Sequence, residues 1–366
     1  MTGRNFDWHY PLNSYLYHLP KGEEKYGGPD LSDKRVLRWT AEFSSVCTYL
    51  GSDNFGLAAI DGMNEKGLVV NGLEDVLAHF INPADILSSE DALPTELLQQ
   101  IANDGLESQQ PRLDDEKSKR LSVLRWVQFV LDCFDSVQSA VRYFKANEDS
   151  LYIFSEDVPD GRPDKTKTKL HLTLSDSNGD SAIIELRGKG FSINVSRSYN
   201  VATVAPRYEV QMALLDFWQK KWQAPTKIGN AYAYQVPGGT ATHQRFARAS
   251  YYYQFSHSQV SDQQVLAQTR SLMSTCATPI GSNFKLNGSE ASANTYWCSI
   301  SEHNLVRYHY FCLEKLTHSW LDLDSSNRAC SRVLMTRSDP DLNDVLVSDN
   351  GDVRSKLKPS KLPFAK

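Results

Sequence analysis

His171-Leu172-Thr173-Leu174, a turn at Asn178-Gly179, Ala182-Ile183-Ile184-Glu185-Leu186 and Phe191-Ser192-Ile193-Asn194-Val195 form the stretch that decides the fold. Its apolar residues recur with a period of two, the spacing of half-buried strands, and Asn-Gly is the preferred centre of a tight hairpin. An antiparallel meander follows. Upstream the period changes: Leu124, Val127, Val130 and Leu131 recur at spacings of three and four, which places them on one helical face. Asp135-Ser136-Val137-Gln138 then reads as a capping box with Asp135 as the cap, opening a helix with Val137, Ala140, Val141 and Phe144 on one stripe.

Earlier still, Ser45 to Leu50, Phe55 to Ile60 and Gly67 to Val70 are short β-rich runs, with Asp61-Gly62-Met63-Asn64-Glu65-Lys66 as the link between the last two. Residues from about 83 to 119 are polar, carry Pro94 and Pro111, end in a charge run from Asp114 to Arg120, and predict a mobile surface insertion. Downstream, Pro206 suits the first turn of a helix reaching about Trp222. Arg245 to Phe255 and Asp262 to Cys276 predict two more, the latter capped by Ser261. Tyr296 to Ile300 and Leu305 to Phe311 form a last hairpin, and the basic residues from Val353 to Lys366 predict a frayed tail. Segregated runs of strands and helices indicate an α+β protein rather than alternating βαβ units. No internal repeat or domain boundary is evident, so a single domain over 1–350 with a flexible tail at 351–366 is expected.

With 366 residues, 40% hydrophobic and 23% charged, the chain can bury a large core. No run approaches the roughly 20 apolar residues of a membrane span, and no apolar signal-peptide core follows Met1, so no membrane partner is expected and a literal start at Met1 implies the cytoplasm. A net charge of -5 with scattered basic residues argues against a nucleic-acid partner. Cys47, Cys133, Cys276, Cys298, Cys312 and Cys330 show no close pairs, so neither a zinc site nor a redox motif is suggested. His171, His243 and His309 lack paired metal spacing, and no metal or cofactor is expected. Gly238-Gly239-Thr240 lacks the lysine of a phosphate-binding loop.

Gly3-Arg4-Asn5-Phe6-Asp7-Trp8 resembles a signature of the choloylglycine hydrolase / penicillin V acylase family of N-terminal-nucleophile amide hydrolases. In order along the chain, Asp61 to Leu68, Leu121 to Val127, Asp176 to Ala182, Pro237-Gly238-Gly239-Thr240 leading to Arg245 and Arg248, and Thr295 to Phe311 resemble further family segments. The resemblance implies a four-layer αββα sandwich of two antiparallel sheets. It also implies hydrolysis of a linear amide: a bile-acid conjugate, penicillin V or an N-acyl homoserine lactone, held in an apolar acyl pocket. The family's homo-oligomeric assembly is a further implied contact. In the family an N-terminal cysteine attacks the carbonyl while its own α-amine acts as base. By resemblance Asp7 would hold that amine, and Arg4 and Arg245 would supply positive charge that favours the thiolate.

The sequence departs from that pattern at three places. The nucleophilic cysteine belongs a strand and a turn before Arg4, and no residue here takes its place. Cys47 lies within an apparent strand, and Thr2, which could act through a freed amine, lies too close to Arg4 to occupy the family's catalytic strand. Val204 stands where the family places an oxyanion asparagine, and Glu74 where relatives place a pocket-lining asparagine, tyrosine or tryptophan. Two expectations follow. Either Met1 is internal to a longer protein with the cysteine upstream, exported if a signal peptide precedes it, or the chain is a non-catalytic relative that binds an acyl-amide ligand.

Overall fold

The structure is a computed structural model. It describes residues 1–74, 93–108, 114, 116–187, 190–198, 200–223, 235–256, 260–283, 285–286, 289–290, 293–323, 329–339, 342, 344 and 346–365. Where no boundary is evident in the sequence, the chain forms two compact units: Met1–Leu73, Arg112–Arg197 and Ala277–Lys366 make the first, Glu74–Pro111 and Ser198–Cys276 the second.

Through the first unit run β1 (Thr2–Trp8), β2 (Ser14–Leu19), β3 (Glu24–Tyr26), β4 (Arg38–Thr40), β5 (Ser45–Ser52), β6 (Gly56–Asn64), β7 (Val69–Glu74) and β8 (Lys119–Ser122). The meander follows as β9 (Leu151–Phe154), β10 (Leu170–Ser175), β11 (Ser181–Arg187) and β12 (Gly190–Ser196). Then come β13 (Lys285–Leu286), β14 (Ser289–Glu290), β15 (Asn294–Glu302), β16 (Arg307–Cys312), β17 (Thr317–Asp322), β18 (Ser331–Thr336), β19 (Gly351–Asp352) and β20 (Lys358–Pro359). Nine strands form one sheet in the order β12-β11-β10-β7-β6-β5-β2-β18-β20, and five form another in the order β1-β15-β16-β17-β19. Both are antiparallel apart from the short parallel pair of β17 with β19.

Period-two patterning gives each strand of the larger sheet two buried faces. Tyr17, Cys47, Tyr49, Val70, Leu172 and Ile184 meet Leu124, Val127, Leu131, Val137 and Phe144 of two helices, Val123–Cys133 and Val137–Ala146. On its other face, Leu16, Val46, Leu50 and Met63 meet Phe6, Trp297, Tyr308 and Tyr310 of the smaller sheet. The first unit is thus helix, sheet and sheet in layers, each strand alternating its side chains between two cores. The second helix is capped by Ser136 rather than Asp135: Ser136 Oγ accepts from the Ser139 amide, while Asp135 accepts from both hydroxyls.

The second unit is helical. Counting all helices in chain order, α1 is Thr95–Ser108, α2 and α3 are the pair above, α4 is Tyr208–Gln223, α5 Thr242–Gln254 and α6 Asp262–Thr275. Leu97, Leu98 and Ile101 of α1 pack with Leu214, Trp218, Trp222, Phe246 and Ala247. The described part of the predicted insertion therefore contains a helix with a buried face, not a mobile surface loop; residues 83–92, 109–113 and 115 lie outside the described residues. Ser261 caps α6 as expected.

The tail also departs from expectation. Val353 is fully buried, β20 pairs with β18, the Phe364 carbonyl accepts from the Tyr26 amide at 2.9 Å, and the Arg125 guanidinium lies 4.8 Å over the Phe364 ring. Its basic side chains suggested solvent, but the intervening Val353, Leu357, Leu362 and Phe364 carry the packing. A few well-placed apolar residues outweigh several snorkelling lysines.

Candidate active site

Between the two sheets, one part of the interface is apolar and another is polar. Strand alternation places Thr2, Arg4 and Phe6 on the inner face of β1, and Trp297, Ser299 and Ser301 opposite them on β15, in the register Thr2↔Ser301 and Arg4↔Ser299. From the larger sheet come Thr48, Asp61, Asn71, Thr173 and Ser175. Asp61 is aimed there by a β-bulge. Thr48 pairs with Asp61 and Tyr49 with Ala59, so Ile60 is the extra residue and the phase of β6 flips. Ala59 accordingly lies in the helix-facing core, whereas Asp61 and Met63 face the smaller sheet. The predicted link Asp61 to Lys66 is mostly strand, with the turn confined to its last residues.

Arg4 is 9% exposed, and its guanidinium has few partners. Nη2 donates to the Gly72 carbonyl at 3.2 Å and Nη1 lies 3.6 Å from Asp61 Oδ2, while Nε and Nη1 make no hydrogen bond. The cation rests 4.8 Å over the Trp297 ring and 5.1 Å over Phe6, whose own rings stack at 4.9 Å. Asp61 is fully buried and accepts from Ser299 Oγ at 2.6 Å. Burial pushes its carboxyl above the ordinary range, and Arg4, Ser299, Tyr308 and Asn71 pull the other way. Around the pair, Tyr308 and Thr48 hydroxyls are 2.8 Å apart, and Thr173 Oγ1 donates to Asn71 Oδ1 at 3.3 Å.

Asp7, three residues from Arg4, follows a shift of register between Phe6 and Asp7 in the pairing of β1 with β15. It accepts from Thr295 Oγ1, which itself accepts from the Thr278 amide at 2.8 Å. Arg4 is thus paired with Asp61 rather than with its neighbour in sequence. Arg245 lies in the first turns of α5 in the second unit, half-buried, its carbonyl accepting from Cys276 Sγ at 3.5 Å. The loop before that helix is pinned by Arg248, whose Nη1 donates to the carbonyls of Pro237 and Gly239 at 2.6 and 3.0 Å. Val204, also of the second unit, is half-buried in a loop that Gln211 clamps through both the amide and the carbonyl of Thr203. Glu74 is the half-buried last residue of β7.

The six cysteines are free. Burial pushes the thiols of Cys47, Cys133 and Cys312 up, and that of Cys330 to about 11. These four are protonated at neutral pH, the reverse of what a thiolate nucleophile needs.

Sequence reasoning missed Asp61, Ser299 and Tyr308 as partners of Arg4. The signal for Asp61 lay in a segment already singled out, but a single bulged residue decides which face it occupies.

A model of linear amide C–N hydrolases, choloylglycine hydrolase family, matches residues 108–336, more than half of the chain. The chain is 28% identical over 343 residues to penicillin V acylase of Pectobacterium atrosepticum, covering 90% of this chain and 78% of that one. It resembles the structure of penicillin V acylase from Agrobacterium tumefaciens with a TM-score of 0.72 at 24% identity, over 99% of this chain and 94% of that one. A variant of conjugated bile acid hydrolase from Clostridium perfringens aligns with a TM-score of 0.66 at 18% identity, over 93% and 95% of the two chains. The α+β class read from the strand and helix pattern and the sandwich that the resemblance implied agree with the fold of these acylases, and the chain belongs to the choloylglycine hydrolase family of linear amide C–N hydrolases.

Proposed function

We propose that the chain hydrolyses a linear amide whose acyl part is apolar, with a bile-acid conjugate, penicillin V or an N-acyl homoserine lactone as the substrate classes. The observation that carries this reading is the Arg4 guanidinium, withdrawn from water, stacked on Phe6 and Trp297, and left with free donor capacity at Nε and Nη1. A preorganised, desolvated cation of this kind is what a developing oxyanion or an anionic nucleophile requires. Arg4 is the catalytic residue on which this reading rests; Asp7, Arg245, Glu74 and Val204 enter it only through the family resemblance. An alkyl or aryl acyl group would lie against the apolar part of the intersheet space.

Release of free amine from the three amide classes tests the reading. Turnover of one of them, lost in Arg4→Met, is expected; absence of turnover across the panel sinks it. A second reading, ligand binding without chemistry, is favoured by the protonated state of the four buried thiols. Under that reading calorimetry detects an acyl amide bound by the wild-type chain while no amine is released.

A further inference from the structure

We propose that His309 and His318, on the outer face of the five-stranded sheet, form a two-histidine site for a borderline divalent metal ion of the Zn²⁺ class. The proposal is independent of the amide reading, whose residues lie on the other face of the same sheet.

Strand alternation brings the two rings together. Tyr308, Tyr310 and Leu321 pack toward the nine-stranded sheet, so His309, Phe311, His318 and Trp320 turn outward. In the antiparallel register His309 stands opposite Trp320 and Phe311 opposite His318, which makes the two histidines diagonal neighbours across β16 and β17. They are nine residues apart in the chain, on two strands, so their pairing shows no metal-ligand spacing in the sequence.

His309 Nδ1 lies 2.9 Å from His318 Nε2, and His309 Nε2 lies 2.5 Å from Glu302 Oε1. An ionised carboxylate only accepts, so His309 carries its proton on Nε2 and presents the Nδ1 lone pair to His318. An imidazole whose far nitrogen donates to a carboxylate while the near one stays bare is the arrangement that orients metal-binding histidines. His318 joins it in its other tautomer, with the proton on Nδ1 and the Nε2 lone pair turned inward. Two nitrogens bound to a tetrahedral Zn²⁺ at about 2.0–2.1 Å stand about 3.3–3.4 Å apart. Opening the observed contact by about half an ångström therefore seats the ion.

The surroundings suit that role. His309 is buried, whereas His318 and Glu302 are half-buried, so one ligand is held rigidly and the other is reached from solvent. The His318 ring stacks on Phe311 with centroids 4.2 Å apart, Trp320 lies 5.3 Å away, and the His318 amide donates to Asn350 Oδ1 at 2.6 Å. Arg307 and Arg354 do not repel a cation there, because both are bound to Asp322, while Glu302 adds negative charge beside His309. Among the described residues no group of three ligating side chains forms, so water fills the remaining positions.

The test is calorimetric titration of the metal-free full chain with Zn²⁺. Saturable binding of one ion per chain is expected, with a higher melting temperature in its presence. His318→Gln should weaken binding by about tenfold or more, and Glu302→Gln, which keeps both ligands, by about tenfold. On the unmutated chain, Zn²⁺ should suppress carbethoxylation of His318 by diethyl pyrocarbonate, a reading that does not depend on how the variants fold. No saturable binding, an affinity that His318→Gln or Glu302→Gln leaves unchanged, or labelling of His318 indifferent to Zn²⁺ overturns the proposal.

Discussion

Two buried ion pairs lie on opposite faces of the nine-stranded sheet, and they are built differently. On the helix side, Lys25 and Asp132 are both fully buried, with Lys25 Nζ at 3.0 and 2.9 Å from the two carboxylate oxygens. Trp39 Nε1 and Gln128 Nε2 each donate to the same carboxylate at 2.7 Å, and the Tyr49 hydroxyl holds Gln128 from behind. On the site side, Arg4 and Asp61 stand 3.6 Å apart, with two guanidinium nitrogens lacking hydrogen bonds. Burial costs both pairs their hydration. The first recovers it through short, saturated contacts, whereas the second leaves donor capacity unspent. A structural pair closes its network; a pair kept for a ligand does not.

The largest expected effect breaks the closed network. Asp132→Asn strands Lys25 without a counter-charge and should cost about 3–5 kcal/mol of unfolding free energy, read by urea denaturation. A loss below about 1 kcal/mol would mean that water reaches Lys25 and that the two pairs differ less than their geometry indicates.

Next in size is a pH effect on the site face. His171, on β10 with Thr173 and Ser175, is buried and its ring is lowered by desolvation to about 4. Its folded value lies below the unfolded one near 6.5, so the stability it contributes is full above about pH 6.5 and lost as pH falls towards 4. The full loss is somewhat above about 3 kcal/mol, from a shift of about 2.5 units at 1.36 kcal/mol each. Replacing it with leucine should remove that part of the acid slope, seen as a wild-type-minus-variant difference between pH 6.5 and 4.

Third comes the functional side of the contrast. Arg4→Met keeps an apolar stem on Phe6 and Trp297 but leaves buried Asp61 without its counter-charge, so a loss of about 1–2 kcal/mol in urea unfolding is expected, with Ser299 still donating to the carboxyl. Amide turnover should fall about 10²–10³-fold, as for loss of one oxyanion donor. Equal losses of stability and turnover would make Arg4 another structural charge.

How much of this was legible beforehand differs between the two faces. The apolar alternation of β10 to β12 and the 3.6 period of Leu124 to Leu131 specify strand and helix locally, so the layers followed from the sequence. Arg4 was visible through the short Gly3-Arg4-Asn5-Phe6-Asp7-Trp8 segment. Its partner Asp61 was not, because the phase flip rests on Ile60, and nothing in Ala58-Ala59-Ile60-Asp61 distinguishes a bulge from a regular strand. Lys25, in a three-residue strand, reads as an exposed charge; its burial is imposed by Asp132, 107 residues away. The tail was misread because charge dominates its composition while four apolar side chains decide its packing. Pairings between distant segments carry no local periodicity, and sites are made of such pairings.

The smallest expected effect separates the two carboxylates themselves. Asp61 is already held above the ordinary range by burial, so part of the cost of ionising it offsets what the charge returns through Arg4. Asp61→Asn keeps the shape, can still accept from Ser299 through its carbonyl oxygen, and should cost about 1–2 kcal/mol in urea unfolding, less than the Asp132→Asn loss. With the carboxylate gone, Arg4 loses its counter-charge and should bind a carboxylate product more tightly in calorimetry. A destabilisation as large as that of Asp132→Asn, with no gain in anion affinity, would place Arg4 and Asp61 in the same class as Lys25 and Asp132, and the open donors of Arg4 would then reflect packing rather than readiness for a ligand.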